Sequence, residues 1–205
     1  MKILNFGSCN IDYIYNLNHI VVPGETETTD NLGIFPGGKG LNQSISMSRA
    51  GAKVYHAGCV GNNGEMLIDI LKANDVDVSL IETVDAPDGH AIIQVSAVGE
   101  NSIFLHPGSN EMVSREYVDK VLAQFGEGDI ILLQNEISNI DYIVEQAYQK
   151  KMRIILNPSP FNERLNNINL NRLFCLVLNE VEAKCFSGYD DYEKSMAYFV
   201  VEKRS

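Results

Sequence analysis

From residue 114 to the end of the 205-residue chain, unbroken apolar runs alternate with stretches whose apolar residues recur every three or four positions. Residues 129–133, 153–156 and 174–178 read as strands. Between and after them, Tyr117, Val118, Val121, Leu122 and Phe125 share one helix face, and Ile140, Ile143, Val144 and Ala147 a second. Tyr192, Met196, Phe199 and Val200 mark a third. A strand that is apolar along its whole length must be covered on both faces, and strands joined through helices run parallel. The pattern therefore predicts an α/β fold built on a helix-flanked, mostly parallel sheet.

The first half of the chain starts in the same way and then changes. Lys2 to Phe6 form a short strand stopped by Gly7-Ser8, and Asn10-Ile11-Asp12 follow. Pro23-Gly24-Glu25 is a turn signal between a mixed segment (13–22) and a β-branched one (26–35), which suggests a small sheet projecting from the core. A helix begins after Gly37-Gly38 and ends at Gly51, which leads into a strand over 53–57. Met66, Leu67, Ile70 and Leu71 place a helix within 62–74. Residues 76–84 and 91–98 read as strands joined through Pro87-Asp88-Gly89, and 103–105 pair with 91–98 across Gly99-Glu100-Asn101. Ser114 and Asn179 are placed to cap helices, the second reaching about Ser187.

Composition narrows the function. A net charge of -11 without long Lys/Arg runs argues against a nucleic-acid partner, so any anionic ligand must be held by local lysines and helix ends. No apolar run reaches bilayer length, and the first six residues run straight into a strand with no signal-peptide pattern. Cys9, Cys59, Cys175 and Cys185 lack paired CxxC spacing, and His19, His56 and His90 lack metal-ligand spacing. Free thiols in a reducing cytoplasm are the simple reading.

Several polar groups fall where an α/β sheet gathers ligand residues, just beyond strand ends. Asn10 and Asp12 lie two apart and point to one side of an extended chain; Asp12 can accept two hydrogen bonds from neighbouring hydroxyls, although the same run also reads as an Asx turn. Gly37 and Gly38 allow a close approach of backbone to ligand at a helix start, with Lys39 and Asn42 on one face. A glycine-rich turn with a solvated lysine is the plainer alternative. The run is neither a Walker motif nor GxGxxG. Glu136, in Gln134-Asn135-Glu136, follows an apolar strand and shares the rim with Asp12. Asn157-Pro158-Ser159-Pro160 fixes another loop there. Asn179 and Glu182 read as a near capping box, and Glu182 could also hold a metal-bound water near phosphates. His106-Pro107-Gly108-Ser109-Asn110 reads as a polar turn, and Cys9 as a buried small hydrophobe.

Together, in this order and spacing, these pieces resemble the ribokinase family of carbohydrate kinases, also called the phosphofructokinase B family. The resemblance runs through Gly7 to Asp12, Pro23 to Thr26, Gly37 to Gln43, Gly58 to Gly61, His106 to Asn110, Leu156 to Pro160 and Asn179 to Glu182. It implies a three-layer α/β/α core with a small β lid, whose strands fall within about 13–35 and 91–105, and a homodimer formed through that lid. It implies that Asn10, Asp12, Gly38, Lys39, Asn42 and Glu136 contact a sugar. Asn179 and Glu182 match the family's Asn-x-x-Glu motif near the phosphates of ATP and Mg2+, with Glu182 on the metal side.

The implied reaction carries phosphate from ATP to a primary hydroxyl of ribose or a related sugar, with a monovalent cation, K+, as a further cofactor. A nucleoside, a keto-deoxy sugar acid or a sugar phosphate are alternative acceptors. A sugar-binding or oligomerisation module without catalysis is the rival from another class. The family's proton-accepting aspartate lies in a later Gly-Ala-Gly-Asp motif that these 205 residues do not contain. The expectation is therefore a chain covering 1–205 of a longer pattern, without its catalytic Asp and its K+ site. Such a chain is expected to be inactive alone, and to self-associate through an open sheet edge or have that edge covered by a partner chain.

Overall fold

The computed structural model describes residues 1–29 and 31–202. Asp30, inside the predicted return segment, and the terminal 203–205 lie outside the described residues, as do the side chains of Tyr192, Val200, Val201 and Glu202. The elements are β1 (Ile3–Phe6), β2 (Asn10–Leu17), β3 (Leu32–Gly37), α1 (Lys39–Arg49), β4 (Val54–Val60), α2 (Glu65–Ala73), β5 (Asp77–Thr83), β6 (Gly89–Ser96) and β7 (Asn101–His106). They continue with α3 (Arg115–Leu122), β8 (Ile130–Gln134), α4 (Ile140–Gln149), β9 (Arg153–Asn157), β10 (Cys175–Leu176), α5 (Glu180–Ser187) and α6 (Tyr192–Glu202).

Six strands form a parallel sheet in the order β10-β9-β8-β1-β4-β5. Strand alternation divides its residues between two faces. Leu4, Phe6, Ala57, Cys59, Ile131 and Leu133 pack with Val118, Val121, Leu122, Ile143, Val144 and Ala147 of α3 and α4. Val54 and Val60 pack on the opposite face with Leu41 of α1 and Leu67 and Leu71 of α2. This is the three-layer arrangement that the resemblance implied.

The middle of the α1 face is polar. Asn5 Nδ2 donates to Gly40 O (2.6 Å) and Ser44 Oγ (2.7 Å), and Gln134 Nε2 donates to Asn5 Oδ1 (2.8 Å) and Gln43 Oε1 (2.6 Å). His56 bridges Ser44 Oγ (2.8 Å) and Cys9 Sγ (3.2 Å). Asn5, Ser44, His56 and Gln134 are all fully buried. These bonds answer most of the cost of burying polar groups, Gln134 Oε1 being the one buried side-chain nitrogen or oxygen among the described residues without a partner, and they tie α1 to β1, β4 and β8 at one defined position.

A second sheet, β3-β2-β6-β7, stands apart from the first. β2 pairs antiparallel with β3 and parallel with β6, and β6 pairs antiparallel with β7. Residues 76–84 and 91–98 belong to different sheets, with Pro87-Asp88-Gly89 crossing between them. Two expectations change in detail. Asn10 and Asp12 lie inside β2, not in a turn, since β2 begins at Asn10. The strand read at 174–178 shortens to Cys175–Leu176, paired with β9 alone.

Candidate active site

β1 and β8 are neighbours in register, with Phe6 opposite Leu133, so the segments leaving their carboxyl ends meet. The first brings Ser8 and the second Glu136. Ser8 Oγ donates to Glu136 Oε2 at 2.5 Å.

The first turn of α1 closes onto that pair. Its N-cap is Gly38, at φ 93, a conformation that favours glycine and offers no side-chain cap. The helix's early N–H groups are answered by other segments instead. Lys39 N donates to Glu136 Oε2 (3.0 Å), Gly40 N to Ser8 Oγ (3.2 Å) and Leu41 N to Ser8 O (2.9 Å). Gly40 is required by this approach, because a Cβ there would stand 2.4 Å from Ser8 N. Lys39 Nζ reaches Glu136 Oε1 at 2.7 Å, with the Glu136 side chain only 7% exposed. A helix N-terminus and an ammonium thus both stabilise one buried carboxylate.

Asp12 is the second carboxylate of this cluster. Burial first, and then the Glu136 charge, hold its carboxyl above the ordinary Asp range, while Lys39 pulls it back. Two acids competing for one lysine make a site that gains from a neutral donor of hydrogen bonds, such as a hydroxyl.

Asn10 is buried, and its Oδ1 accepts from Asn110 Nδ2 at 2.8 Å. Asn110 Oδ1 in turn accepts from Cys9 N (3.1 Å). With its oxygen engaged, Asn10 is left with its amide N–H as the group to offer a ligand. Asn10 and Glu136 line a cavity of about 440 Å³, together with His106, Asn110, Asn135 and Arg164. Arg164 is paired with Glu111 at its edge (Nη1 to Oε1, 2.7 Å). That volume suits a small polar ligand.

The structure therefore brings Asn10, Asp12, Gly38, Lys39 and Glu136 together. Asn42 lies one turn along α1 and is exposed. Asn179 and Glu182 are elsewhere. They form a complete capping box on α5: Asn179 Oδ1 accepts from Glu182 N (2.9 Å), and Glu182 Oε2 accepts from Asn179 N (3.0 Å). Asn179 borders a separate, largely apolar cavity of about 800 Å³ between β10, α5 and α6.

Three residues at the site carried no role in the sequence reading. Ser8 was a strand stop and Asn110 part of a turn, and Arg164 gave no signal. Their partners lie 128, 100 and 53 residues away, and local patterning does not report such pairings. Among the described residues, one His/Asp/Glu group has ligand atoms close enough for a metal: His19, Glu25 and Glu27 in the loop after β2, away from Glu182. The four cysteines are free. Among the described residues no helix is long and apolar enough to cross a membrane.

The family model described as pfkB family carbohydrate kinase matches residues 1–199. The chain belongs to the pfkB family. Within it, a ribokinase from Haemophilus influenzae is 32% identical over 196 residues, which are 93% of this chain. The chain spans 64% of that relative's length. Two solved structures superpose closely. A ribokinase from Thermotoga maritima has TM-score 0.85 at 29% identity, covering 98% of this chain and 69% of that one. A ribokinase from Cryptococcus neoformans in complex with ADP has TM-score 0.80 at 31% identity, covering 98% and 66%.

Proposed function

We propose that these residues form the sugar-binding part of an ATP-dependent sugar kinase whose acceptor is the primary hydroxyl of ribose or a related sugar. The observation that carries this reading is the cluster in which Lys39 and the α1 N-terminus share Glu136, with Asp12 and Asn10 alongside. Its carboxylates accept from sugar hydroxyls, and Lys39 and the Asn10 amide donate to sugar oxygens. Because Glu111 already neutralises Arg164, the cavity favours an uncharged acceptor over a sugar acid or phosphate.

ATP with Mg2+ is the proposed donor, supported by the ADP complex of the Cryptococcus relative. Asn179 and Glu182 are the residues proposed for that side. Their capping bonds leave a lone pair on each Glu182 oxygen, so the carboxylate, though buried, would accept from a water of a hydrated Mg2+ without loss of the cap. When bound, the ion would offset charge on the phosphates. K+ is proposed on the family pattern alone. The absence of Gly-Ala-Gly-Asp from the 205 residues underlies the proposal that this polypeptide, taken alone, binds sugar without transferring phosphate. A homodimer through the β2-β3-β6-β7 lid is proposed from its exposed apolar residues, among them Phe35 and Phe104.

Calorimetric titration of the purified chain with D-ribose, with and without ATP, tests the reading. Saturable D-ribose binding that Lys39→Met weakens at least tenfold supports it, and no saturable binding sinks it. ATP-dependent formation of a sugar phosphate by the same preparation would overturn the inactivity alone.

A further inference from the structure

We propose that Ser8 is a positioning residue for the sugar site: its hydroxyl holds the Glu136 carboxylate against the first turn of α1. A serine hydroxyl has one proton to give and two lone pairs to share. Ser8 is fully buried and uses both capacities, donating to Glu136 Oε2 (2.5 Å) and accepting from Gly40 N (3.2 Å). Its backbone oxygen takes a third bond, from Leu41 N (2.9 Å).

Glu136 sits on a loop past β8, and the same oxygen that Ser8 holds also accepts from Lys39 N. Glu136 is thus clamped between the second residue after β1 and the start of α1. Lys39 cannot provide the clamp alone, because its ammonium is on a flexible, part-exposed stem. In this arrangement α1, which has no N-cap side chain of its own, borrows its cap from the sugar site. Ser8 is the joint between the two: without its proton, Glu136 keeps one fixed bond, to the Lys39 backbone N–H, and one to the mobile ammonium, and a single fixed bond lets the carboxylate pivot with the lysine side chain away from the cavity wall.

The inference rests on the reading of Glu136 as a sugar ligand, and the test separates the two. Amide exchange at Lys39 is the first readout, since that N–H bonds Glu136 and not Ser8. Ser8→Ala is expected to speed it about tenfold, and unchanged exchange at Lys39 overturns the positioning role. D-ribose titration is the second. Ser8→Ala is expected to weaken binding about tenfold in the unmutated background and to add nothing to Glu136→Gln. Losses that multiply in the double variant overturn the claim that Ser8 acts through Glu136. If the unmutated chain does not bind D-ribose, the sugar reading fails and Lys39 exchange alone decides the role of Ser8. Where Glu136→Gln leaves no measurable binding, exchange again decides. Should Ser8→Ala fail to fold, Ser8→Cys keeps a weak donor and is expected to fall between the two.

Discussion

Asn110 Nδ2 donates to Asn10 Oδ1 across 2.8 Å, joining the turn after β7 to the first residue of β2. The bond has a direction that neither residue could choose alone. Asn110 must turn its oxygen to Cys9 N–H, so its amide nitrogen faces Asn10. Asn110→Ala leaves the buried Cys9 N–H without its acceptor, at a cost of about 1–3 kcal/mol. The expected outcome is a lower denaturation midpoint together with weaker D-ribose binding. Urea titration and calorimetry on the same preparation check it.

Asp12 and pH form the second prediction. Its folded-state carboxyl titrates above the ordinary Asp value, chiefly through burial and secondly through Glu136. An acid shifted upward binds its proton more readily folded than unfolded, so it favours the fold at low pH and opposes it once ionised. Asp12→Asn is therefore expected to raise the melting temperature at pH 7, with the gain disappearing below the unfolded Asp value, and to lose D-ribose binding. In the unmutated chain, binding should fall as pH drops through the raised value. Lys39→Met should move that fall to higher pH, because Lys39 lowers the Asp12 value.

His56 predicts the opposite slope for stability. Complete burial holds its imidazole down at about 4. The folded chain then binds fewer protons than the unfolded one between that value and about 6.5, so stability present above pH 6.5 is lost as pH falls toward 4. The loss amounts to up to about 3 kcal/mol for a shift of this size. Urea midpoints across pH 4–7 check it, and His56→Gln is expected to flatten the slope while lowering stability at pH 7.

Lid association is the fourth. Ile103, Phe104 and Leu105 are consecutive on the edge strand β7 and are each about half exposed, as are Ile34 and Phe35 on the other edge strand, β3. Among the described residues neither edge strand is paired on its outer side, and both invite pairing or packing. The chain is expected to sediment as a dimer, and Phe104→Asp with Phe35→Asp to convert it to monomer with its melting temperature little changed. A monomeric unmutated chain would remove the lid interface.

Much of the fold was legible in the sequence because burial writes itself into local patterns. Continuous apolar strands and three-to-four spacing located β8, β9, α3 and α4, and the Asn179–Glu182 spacing announced the cap of α5. The pairing of residues 91–98 was legible only on one side. Residues 103–105 announced themselves as one neighbour across a tight turn, but the other neighbour is β2, about 80 residues earlier, and local patterning carries no sign of it.

At the site, the sequence alone determined the residue types and their places at strand ends: a lysine at a glycine-led helix start, acids at 12 and 136, and asparagines at 10 and 110. Only the tertiary structure decided how they work together. Helix α1 carries no cap of its own, so its first N–H groups must be answered by whichever chain the sheet delivers. The register of β1 beside β8 delivers Ser8 and Glu136, and that meeting joins a helix end, a buried carboxylate and Lys39 in one site. Hydrogen bonds across a hundred residues leave no period in a sequence, because they are made by strand order rather than by neighbours.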